Sequence, residues 1–173
     1  MSDATPAPGA APCVSIGLPV YNGETYLAAA LDSILGQTFR DFELIIADNH
    51  SSDGTVDICR AYAAQDARVH LVVNEQNLGA AKNYNLVFDL ARGKYFKWAS
   101  HDDLIAPEFL ARCVEALEAD PAVVVAYPQT VLIDATGATT GAYENRFDLR
   151  SPRPHQRLLG VFQAPGRCHP VFG

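Results

Sequence analysis

The sequence lacks several features that would assign the chain to a class at once. No apolar run approaches the roughly 20 residues that a membrane-spanning helix needs. The four cysteines form no CxxC pair, so the sequence does not predict a metal knuckle. Lys and Arg together number 13 against 20 Asp and Glu. The formal charge of −7 argues against a general nucleic-acid-binding protein, which would need a basic surface.

Common phosphate-binding and targeting motifs are missing too. No GxGxxG follows the first apolar run and no GxxxxGK[ST] occurs, which argues against a dinucleotide-binding fold and against a P-loop protein. The opening MSDATPAPGAAP has neither the basic nor the apolar region of a secretory signal. We therefore expect residues 1–12 to be a flexible lead-in and, with scattered cysteines, the protein to be cytoplasmic.

The sequence does contain an alternation of apolar runs and helical patterns. The apolar runs are rich in β-branched and aromatic residues and predict buried strands at 14–20, 42–48, 69–74 and 95–100. Apolar residues at helical spacing predict helices at 24–36, 54–66, 79–91 and from Pro107 onward. This order predicts an α/β fold with a mostly parallel sheet, in which Trp98 belongs to the core.

The pattern changes in the last third of the chain. The apolar stretch 123–134 is expected to continue the sheet. Residues 135–157, rich in Gly, Thr, Arg and Pro, predict a long excursion, and a short amphipathic segment follows. The closing HPVFG looks like the start of another strand, so we expect the sequence to be part of a longer protein.

Candidate site residues, all of them polar except Pro19, lie at or after the end of each predicted strand. Ligands of open parallel sheets bind beyond the carboxyl ends of the strands, where these residues would meet. In chain order they are Pro19, Tyr21, Asn22, Glu24, Asp48, Asn49, Lys82, His101, Asp102 and Asp103. The first three loops offer groups suited to a nucleotide and the fourth offers carboxylates, so we expect a nucleotide site at this edge.

The adjacent carboxylates Asp102 and Asp103 suggest a divalent cation. Without a glycine-rich cradle, a diphosphate needs a cation to offset its charge, and carboxylates are natural ligands of Mg²⁺ and Mn²⁺. Two carboxylates about 4 Å apart repel by about 4 kcal/mol at an effective dielectric of 20, so a partly buried pair requires a cation or strong donors. An exposed acidic loop requires neither, and both alternatives fit the residues.

Four motifs in order resemble those of the family 2 glycosyltransferases. They are P-x-Y-N from Pro19, Q-T-F-x-D-F-E-L from Gln37, D-N-x-S-x-D-G-T from Asp48 and H-D-D from His101. The resemblance covers residues 13–127 and implies the GT-A fold, a three-layer sandwich around a mostly parallel sheet. It also implies inverting transfer of a sugar from a nucleotide-diphosphate donor to a glycan, lipid or protein acceptor, assisted by Mn²⁺ or Mg²⁺.

The resemblance implies a role for each loop. Pro19, Tyr21, Asn22 and Glu24 would line the nucleoside pocket. Asp48 and Asn49 would contact the base or ribose, and Lys82 could approach the pyrophosphate. Asp102 would be the metal ligand. Asp103 or His101 would be a second ligand or a contact to the donor.

The chain departs from the family pattern at two positions. Asn49 stands where a second aspartate is common, which leaves the base preference open. Ser100 stands first in a motif that is often D-x-D-D, so one carboxylate is lost. Two other functions stay open, a nucleotidyltransferase on a similar sheet and a non-catalytic nucleotide- or sugar-binding module.

The resemblance also divides the chain into regions. Residues 13–134 would be the donor-binding α/β region, and 135–173 would begin the acceptor side. We expect the catalytic base to lie beyond Gly173. The full-length protein could then associate peripherally with the inner face of the membrane.

Overall fold

A computed structural model of the chain describes residues 10–143 and 151–162. The elements in chain order are β1 (Val14–Val20), α1 (Leu27–Leu35), β2 (Phe42–Asp48), α2 (Thr55–Gln65), β3 (Val69–Val73), α3 (Ala80–Asp89), β4 (Tyr95–Trp98), α4 (Phe109–Ala119), β5 (Thr130–Ile133), β6 (Thr139–Tyr143) and α5 (Pro154–Phe162). The predicted alternation of strands and helices is confirmed through α4, with helices one to three residues shorter at each end.

The first four strands form one parallel sheet in the order β3-β2-β1-β4. Every residue of β1 and β2 is buried, as their continuous apolar runs predict for strands covered on both faces. The outer strands β3 and β4 are only partly buried. The prediction of a mostly parallel sheet flanked by helices is therefore confirmed.

Helix α3 lies close to the sheet because β1 has a glycine at its centre. A Cβ added at Gly17 would lie 2.6 Å from Cγ2 of Val87 and 2.8 Å from Cζ of Phe96. Val87, on α3, is fully buried against Ile45 and Ala47 of β2. Any larger residue at position 17 would push the helix away from the sheet.

Two packing predictions are wrong. Trp98 is 39% exposed rather than in the core, because β4 is an outer strand of the described sheet. The stretch 123–134 does not continue that sheet. Only Thr130–Ile133 forms a strand, and it pairs antiparallel with β6 in a separate two-stranded sheet.

The reason for the second error lies in the turn between β5 and β6. Asp134 accepts hydrogen bonds from the backbone N–H groups of Thr136 and Ala138, at 2.8 and 3.1 Å. Gly137 has a φ of 82°, which glycine adopts without strain. These local turn signals give β5 a nearby antiparallel partner, and a hydropathy pattern alone does not reveal that pairing.

The chain divides into two compact units between Arg112 and Cys113. The parallel sheet belongs to the first unit and the β5–β6 hairpin to the second. Residues 1–9 of the expected lead-in and the expected last strand lie outside the described residues. None of the helices in the described part has the length and hydropathy that crossing a membrane would require.

Candidate functional site

The four strands of the parallel sheet bring their following loops to one edge, here called the carboxyl edge. Val20 at the end of β1 is level with Asp48 at the end of β2, and Asp48 is level with Val73 of β3. The N–H of Ala99, just after β4, donates to the carbonyl of Gly17 at 2.8 Å. The predicted site residues therefore follow strands that end on the same side of the sheet.

The loops after β1 and β2 are joined through the side chain of Asn22. Its Oδ1 accepts a hydrogen bond from the N–H of Ser52 at 2.9 Å, and its own N–H donates to Oγ of Ser51 at 2.9 Å. Asn22 has a φ of 52°, a left-handed conformation that asparagine tolerates better than most residues. His50, in the other loop, is also left-handed, with a φ of 65°.

Further hydrogen bonds connect the same two loops. Oε2 of Glu24 accepts from the N–H of Gly54 at 2.6 Å, and the N–H of Glu24 donates to Asp53 at 3.2 Å. Asp53 also accepts from the N–H of Thr55, the first residue of α2, at 3.1 Å. Asp53 is thus bonded at the start of α2, although the residue before the helix is Gly54. Asn22 and Glu24 therefore hold the loops after β1 and β2 together.

Asp48 differs from Glu24 and Asp53 because one of its two carboxylate oxygens has no hydrogen-bond partner. The residue is fully buried, and its Oδ2 accepts from the N–H of Ser51 at 3.0 Å. Its Oδ1 is buried without any hydrogen bond. An unsatisfied buried acceptor typically costs about 1–3 kcal/mol, so this atom calls for an explanation such as a bound ligand.

Asn49 belongs to a buried network of asparagines. Its Oδ1 accepts from the N–H of Leu78 at 2.8 Å and from Nδ2 of Asn74 at 3.2 Å, and its Nδ2 donates to Asn77 at 3.0 Å. Asn74 also donates to Oδ1 of Asn83, which is on α3, at 2.8 Å. An aspartate at position 49 could not donate to Asn77, which gives the departure from the family pattern a structural reason.

The other predicted nucleotide contacts have different surroundings. Pro19 is buried within β1, and Tyr21 is 49% exposed. Lys82 lies exposed in the first turn of α3, and within the described residues no carboxylate pairs with it. Tyr21 and Lys82 are therefore accessible to a ligand in solution, whereas the side chain of Pro19 is buried in the strand.

The acidic turn, residues 99–105, presents Asp102 and Asp103 as exposed side chains. The hydroxyl of Ser100 donates to Oδ1 of Asp102. His101 packs on the loop after β1, since a Cβ added at Gly23 would lie 2.7 Å from its Cδ2. The side chain of residue 101 thus meets that loop, and the two aspartates face solvent.

The donor set of this turn limits the kind of metal site it could form. Within residues 10–143 and 151–162, no three His, Cys, Asp or Glu side chains cluster so as to hold a metal ion. Mg²⁺ bound with a nucleotide usually takes one or two protein carboxylates, substrate phosphates and water. Asp102 and Asp103 therefore fit a cation that arrives with a diphosphate, but not one that is held by protein ligands alone.

Sequence reasoning missed the anchor of the acidic turn. Gln37, directly after α1 and its C-cap Gly36, is fully buried and donates from Nε2 to the carbonyl of Ala106 at 2.8 Å. Its Oε1 accepts from the N–H of Leu110 at 3.0 Å. The available signal was a polar residue inside the Q-T-F motif, next to an apolar helix face.

A second polar cluster lies at the amino ends of the strands. Glu43, at the start of β2, accepts from Ser15 at 2.6 Å and from both Nε and the terminal guanidinium of Arg92, at 3.0 and 2.5 Å. Burial acts to raise the pKa of Glu43, but the hydrogen bonds from Arg92 and Ser15 outweigh it and lower the pKa. A cavity of about 290 Å³ is lined by Glu43, His70 and Arg92 among others. We assign it no ligand, because Glu43 and Arg92 already satisfy each other.

The chain is similar to known proteins in sequence and in structure. The family described as "Glycosyl transferase family 2" matches residues 15–172. Glycosyltransferase GlyG of Streptococcus pneumoniae is 31% identical over 112 residues, which are 65% of this chain and 37% of GlyG. An uncharacterized protein of Sinorhizobium fredii is 36% identical over 159 residues, 88% of this chain and 17% of that protein.

Solved structures with nucleotide sugars are also similar. Mannosyltransferase PcManGT from Pyrobaculum calidifontis, in complex with GDP-Man and Mn²⁺, has a TM-score of 0.59 and 30% identity over 70% of this chain and 36% of its own. S. aureus TarS 1-349 in complex with UDP-GlcNAc has a TM-score of 0.58 and 28% identity over 61% of this chain and 31% of its own. The chain thus spans between a sixth and two fifths of the length of these four proteins.

Proposed function

Since the chain belongs to glycosyltransferase family 2, we propose that its carboxyl edge binds the donor of a sugar transfer, a nucleotide-diphosphate sugar. The observation that carries the proposal is the unpartnered Oδ1 of Asp48, fully buried at the end of β2. A carboxylate oxygen only accepts hydrogen bonds, so a bound nucleoside would satisfy it with an N–H of the base or a hydroxyl of the ribose.

The braced loops support the nucleoside end of this proposal. Asn22, Gly23 and Glu24 are bonded at 2.6 to 3.2 Å to residues 51–55, which run from the loop after β2 into the start of α2. Two loops held together by that many hydrogen bonds lose little conformational entropy when a ligand binds, which favours affinity. Tyr21, 49% exposed in the loop after β1, offers a ring on which a base could stack.

The acidic turn supports the diphosphate end. Asp102 and Asp103 would hold a divalent cation together with the two phosphates, and Lys82 would approach the pyrophosphate from α3. When bound, Mn²⁺ or Mg²⁺ offsets the negative charge that develops on the departing nucleoside diphosphate. The similar PcManGT is in complex with GDP-Man and Mn²⁺, and TarS with UDP-GlcNAc, which supports this class of donor.

We further propose an inverting transfer to a hydroxyl of a glycan, lipid or protein acceptor. The general base would lie in a region that corresponds to the part of the relatives not spanned by this chain. It must come within hydrogen-bond distance of the attacking hydroxyl. A non-catalytic binding module would bind the same donors, so only turnover by a longer form of the protein separates the two functions.

Calorimetric titration of the chain with UDP-GlcNAc and GDP-Man, each with and without Mn²⁺, tests donor binding. We expect saturable binding of at least one donor, tighter with Mn²⁺. Asp102→Asn should weaken binding in Mn²⁺ by about 10- to 100-fold, as loss of metal-site groups commonly does. Asp57→Asn, an exposed carboxylate on α2 whose removal changes the charge equally, is the control and should bind as the wild type.

Two results would contradict the proposal. A folded chain that shows no saturable binding with any nucleotide sugar does not have the donor site. An Asp102→Asn variant with unchanged Mn²⁺-dependent binding would remove Asp102 from the cation site, while leaving the nucleoside pocket in place.

A further inference from the structure

The buried side-chain amide of Gln37 forms hydrogen bonds with two segments of the chain. It is fully buried just after α1, and its Nε2 donates to the carbonyls of Ser33 at 3.1 Å and Ala106 at 2.8 Å. Its Oε1 accepts from the N–H of Leu110 at 3.0 Å. Glutamine is rarely found fully buried, and a hydrophobic residue would fill the same space without the cost of desolvating an amide.

Two neighbours of Gln37 hold the same segment. The N–H of Thr38 donates to the carbonyl of Pro107 at 2.9 Å, and Oγ of Ser33 accepts from the N–H of Ile105 at 3.3 Å. Residues 103–106 have no regular secondary structure, and Ile105 is only two residues after Asp103. The end of α1 thus supplies hydrogen bonds that the irregular backbone cannot make within itself.

The bond to Leu110 has a second consequence. Leu110 lies in the first turn of α4, where backbone N–H groups have no partner within the helix. Gln37 caps this group from another element, and α4 has no acidic residue in its own first turn. The start of α4 and the irregular segment before it are therefore fixed to α1 together.

The acidic turn is consequently held at both ends. On one side Ala99 bonds to Gly17 of β1, and on the other Ile105 and Ala106 bond to the end of α1. Between these anchors, Oδ1 of Asp102 accepts a hydrogen bond from the hydroxyl of Ser100 in the same turn. Two neighbouring carboxylates and a diphosphate repel one another. The backbone that carries the carboxylates must therefore be held in place if they are to stay close to the diphosphate.

We propose that Gln37 is a positioning residue of the donor site, holding Asp102 and Asp103 where a cation can bridge them to a diphosphate. This inference rests on the proposed donor-binding function. Gln37 touches neither the donor nor the cation. Its loss should therefore weaken the cation-dependent part of binding and leave the nucleoside pocket around Asp48 unchanged.

Gln37→Met tests the proposal, because methionine has a similar volume and cannot make these bonds. Donor binding would be measured by calorimetry for GDP-Man and UDP-GlcNAc across a series of Mn²⁺ concentrations, with the wild type and variants at equal folded fractions. The Mn²⁺ concentration for half-maximal binding should rise about tenfold or more, the usual effect of removing groups that orient metal ligands. Affinity for GMP or UMP without metal should not change.

Two variants accompany this measurement. Ser33→Ala removes the acceptor for Ile105 and, within α1, the bond of the same hydroxyl to the carbonyl of Ala30. It should shift the Mn²⁺ dependence in the same direction by less, even if Gln37→Met fails to fold. Tyr62→Phe removes a hydroxyl that donates to Asp32 on α1 at 2.7 Å, so it perturbs the same helix away from the turn. It should lower stability and leave the Mn²⁺ dependence as in the wild type.

The outcomes separate this inference from the function it rests on. Wild-type donor binding with an unchanged Mn²⁺ dependence in folded Gln37→Met and Ser33→Ala would overturn the role of Gln37 alone. Equal losses of metal-free and metal-dependent binding would also overturn it, since they indicate a general structural effect. No donor binding by the wild type would overturn the proposed function and this role with it.

Discussion

At the scale of single residues, Asp48 has a buried carboxylate oxygen without a hydrogen-bond partner at the carboxyl edge. The aspartate at the other end of its motif, Asp53, accepts hydrogen bonds on both oxygens, whereas Asp48 has one free, buried oxygen. The hydrogen bonds from Thr55 and Glu24 lower the pKa of Asp53 against the opposing effect of desolvation. Two aspartates of one motif thus differ, since both oxygens of Asp53 have partners and one oxygen of Asp48 has none.

Asp48→Asn should change stability and binding in opposite directions. The amide keeps an oxygen for the N–H of Ser51 and removes a buried, half-satisfied charge, so the free energy of unfolding should rise or stay within about 1 kcal/mol. Donor affinity should fall about tenfold or more, because a donor group replaces the acceptor that we assign to the nucleoside. Urea denaturation and calorimetric titration measure the two effects.

Asp66→Asn is the matched control for this prediction. Asp66 follows α2 and binds Arg68 at 2.7 Å, and the hydrogen bonds of Arg68 lower its pKa. The change should reduce stability and leave donor affinity unaltered. If Asp48→Asn binds donors as well as the wild type, Asp48 does not contact the nucleoside.

At the scale of elements, the loops after β1, β2 and β4 depend on one close contact. Gly23 bonds through its N–H to Oγ1 of Thr55 at 2.8 Å, so the loop after β1 is drawn toward α2. Its missing side chain leaves room for the ring of His101 on the other side. One glycine therefore allows three loops to meet.

Gly23→Ala should lower the free energy of unfolding by about 1–3 kcal/mol, the usual cost of overpacking. The added methyl would lie 2.7 Å from Cδ2 of His101 and 2.8 Å from Cγ2 of Val20. Combining it with His101→Ala should recover part of the loss, since only the contact with Val20 then remains. Urea denaturation of both single variants and the double variant would detect this coupling, and strictly additive losses would contradict the contact.

At the scale of the whole molecule, Glu43 ties the first unit together at the amino ends of the strands. It bonds to Ser15 of β1 and to both the backbone and the side chain of Arg92, which lies between α3 and β4. Its carboxylate is only 4% exposed. Glu43, the glutamate of the Q-T-F-x-D-F-E-L motif, therefore has a structural role. Its polar cluster lies at the amino ends of the strands, whereas Asp48 lies at their carboxyl ends.

The lowered pKa of Glu43 predicts an acid-dependent loss of stability. A carboxyl whose pKa is lower in the folded state stabilises above its unfolded pKa, here about 4.5, and this contribution is lost as the pH falls through the folded pKa. At neutral pH, Glu43→Gln should cost about 1–3 kcal/mol. The difference in the free energy of unfolding between Glu43→Gln and the wild type should become smaller as the pH is lowered from about 6 to about 3.

Urea denaturation across this pH range checks the prediction. Asp57→Asn, which removes an exposed i,i+3 partner of Arg60, should differ little from the wild type at every pH. A Glu43→Gln difference that stays constant with pH would contradict the assignment of this stabilisation to the ionised carboxylate.

Most of the first unit could be predicted from local patterns. The continuous apolar run at 42–48 gave the buried strand β2, and the spacing of Leu27, Leu31 and Ile34 gave the buried face of α1. The end of each strand indicated the edge at which polar residues would collect. The roles of Pro19, Tyr21, Lys82, Asp102 and Asp103 in donor binding stay predictions, as do the division at residue 134 and peripheral membrane association.

The sequence alone determined the order of the elements and the edge at which the candidate site residues lie, because periodicity and strand direction are local properties of the chain. Tertiary structure decided which polar residues are free. Asn22, Glu24 and Gln37 form hydrogen bonds with residues at least 29 positions away, whereas one carboxylate oxygen of Asp48 has no partner. It also decided the exposure of Trp98 and the hairpin at Thr130, since both depend on which strand is available as a partner.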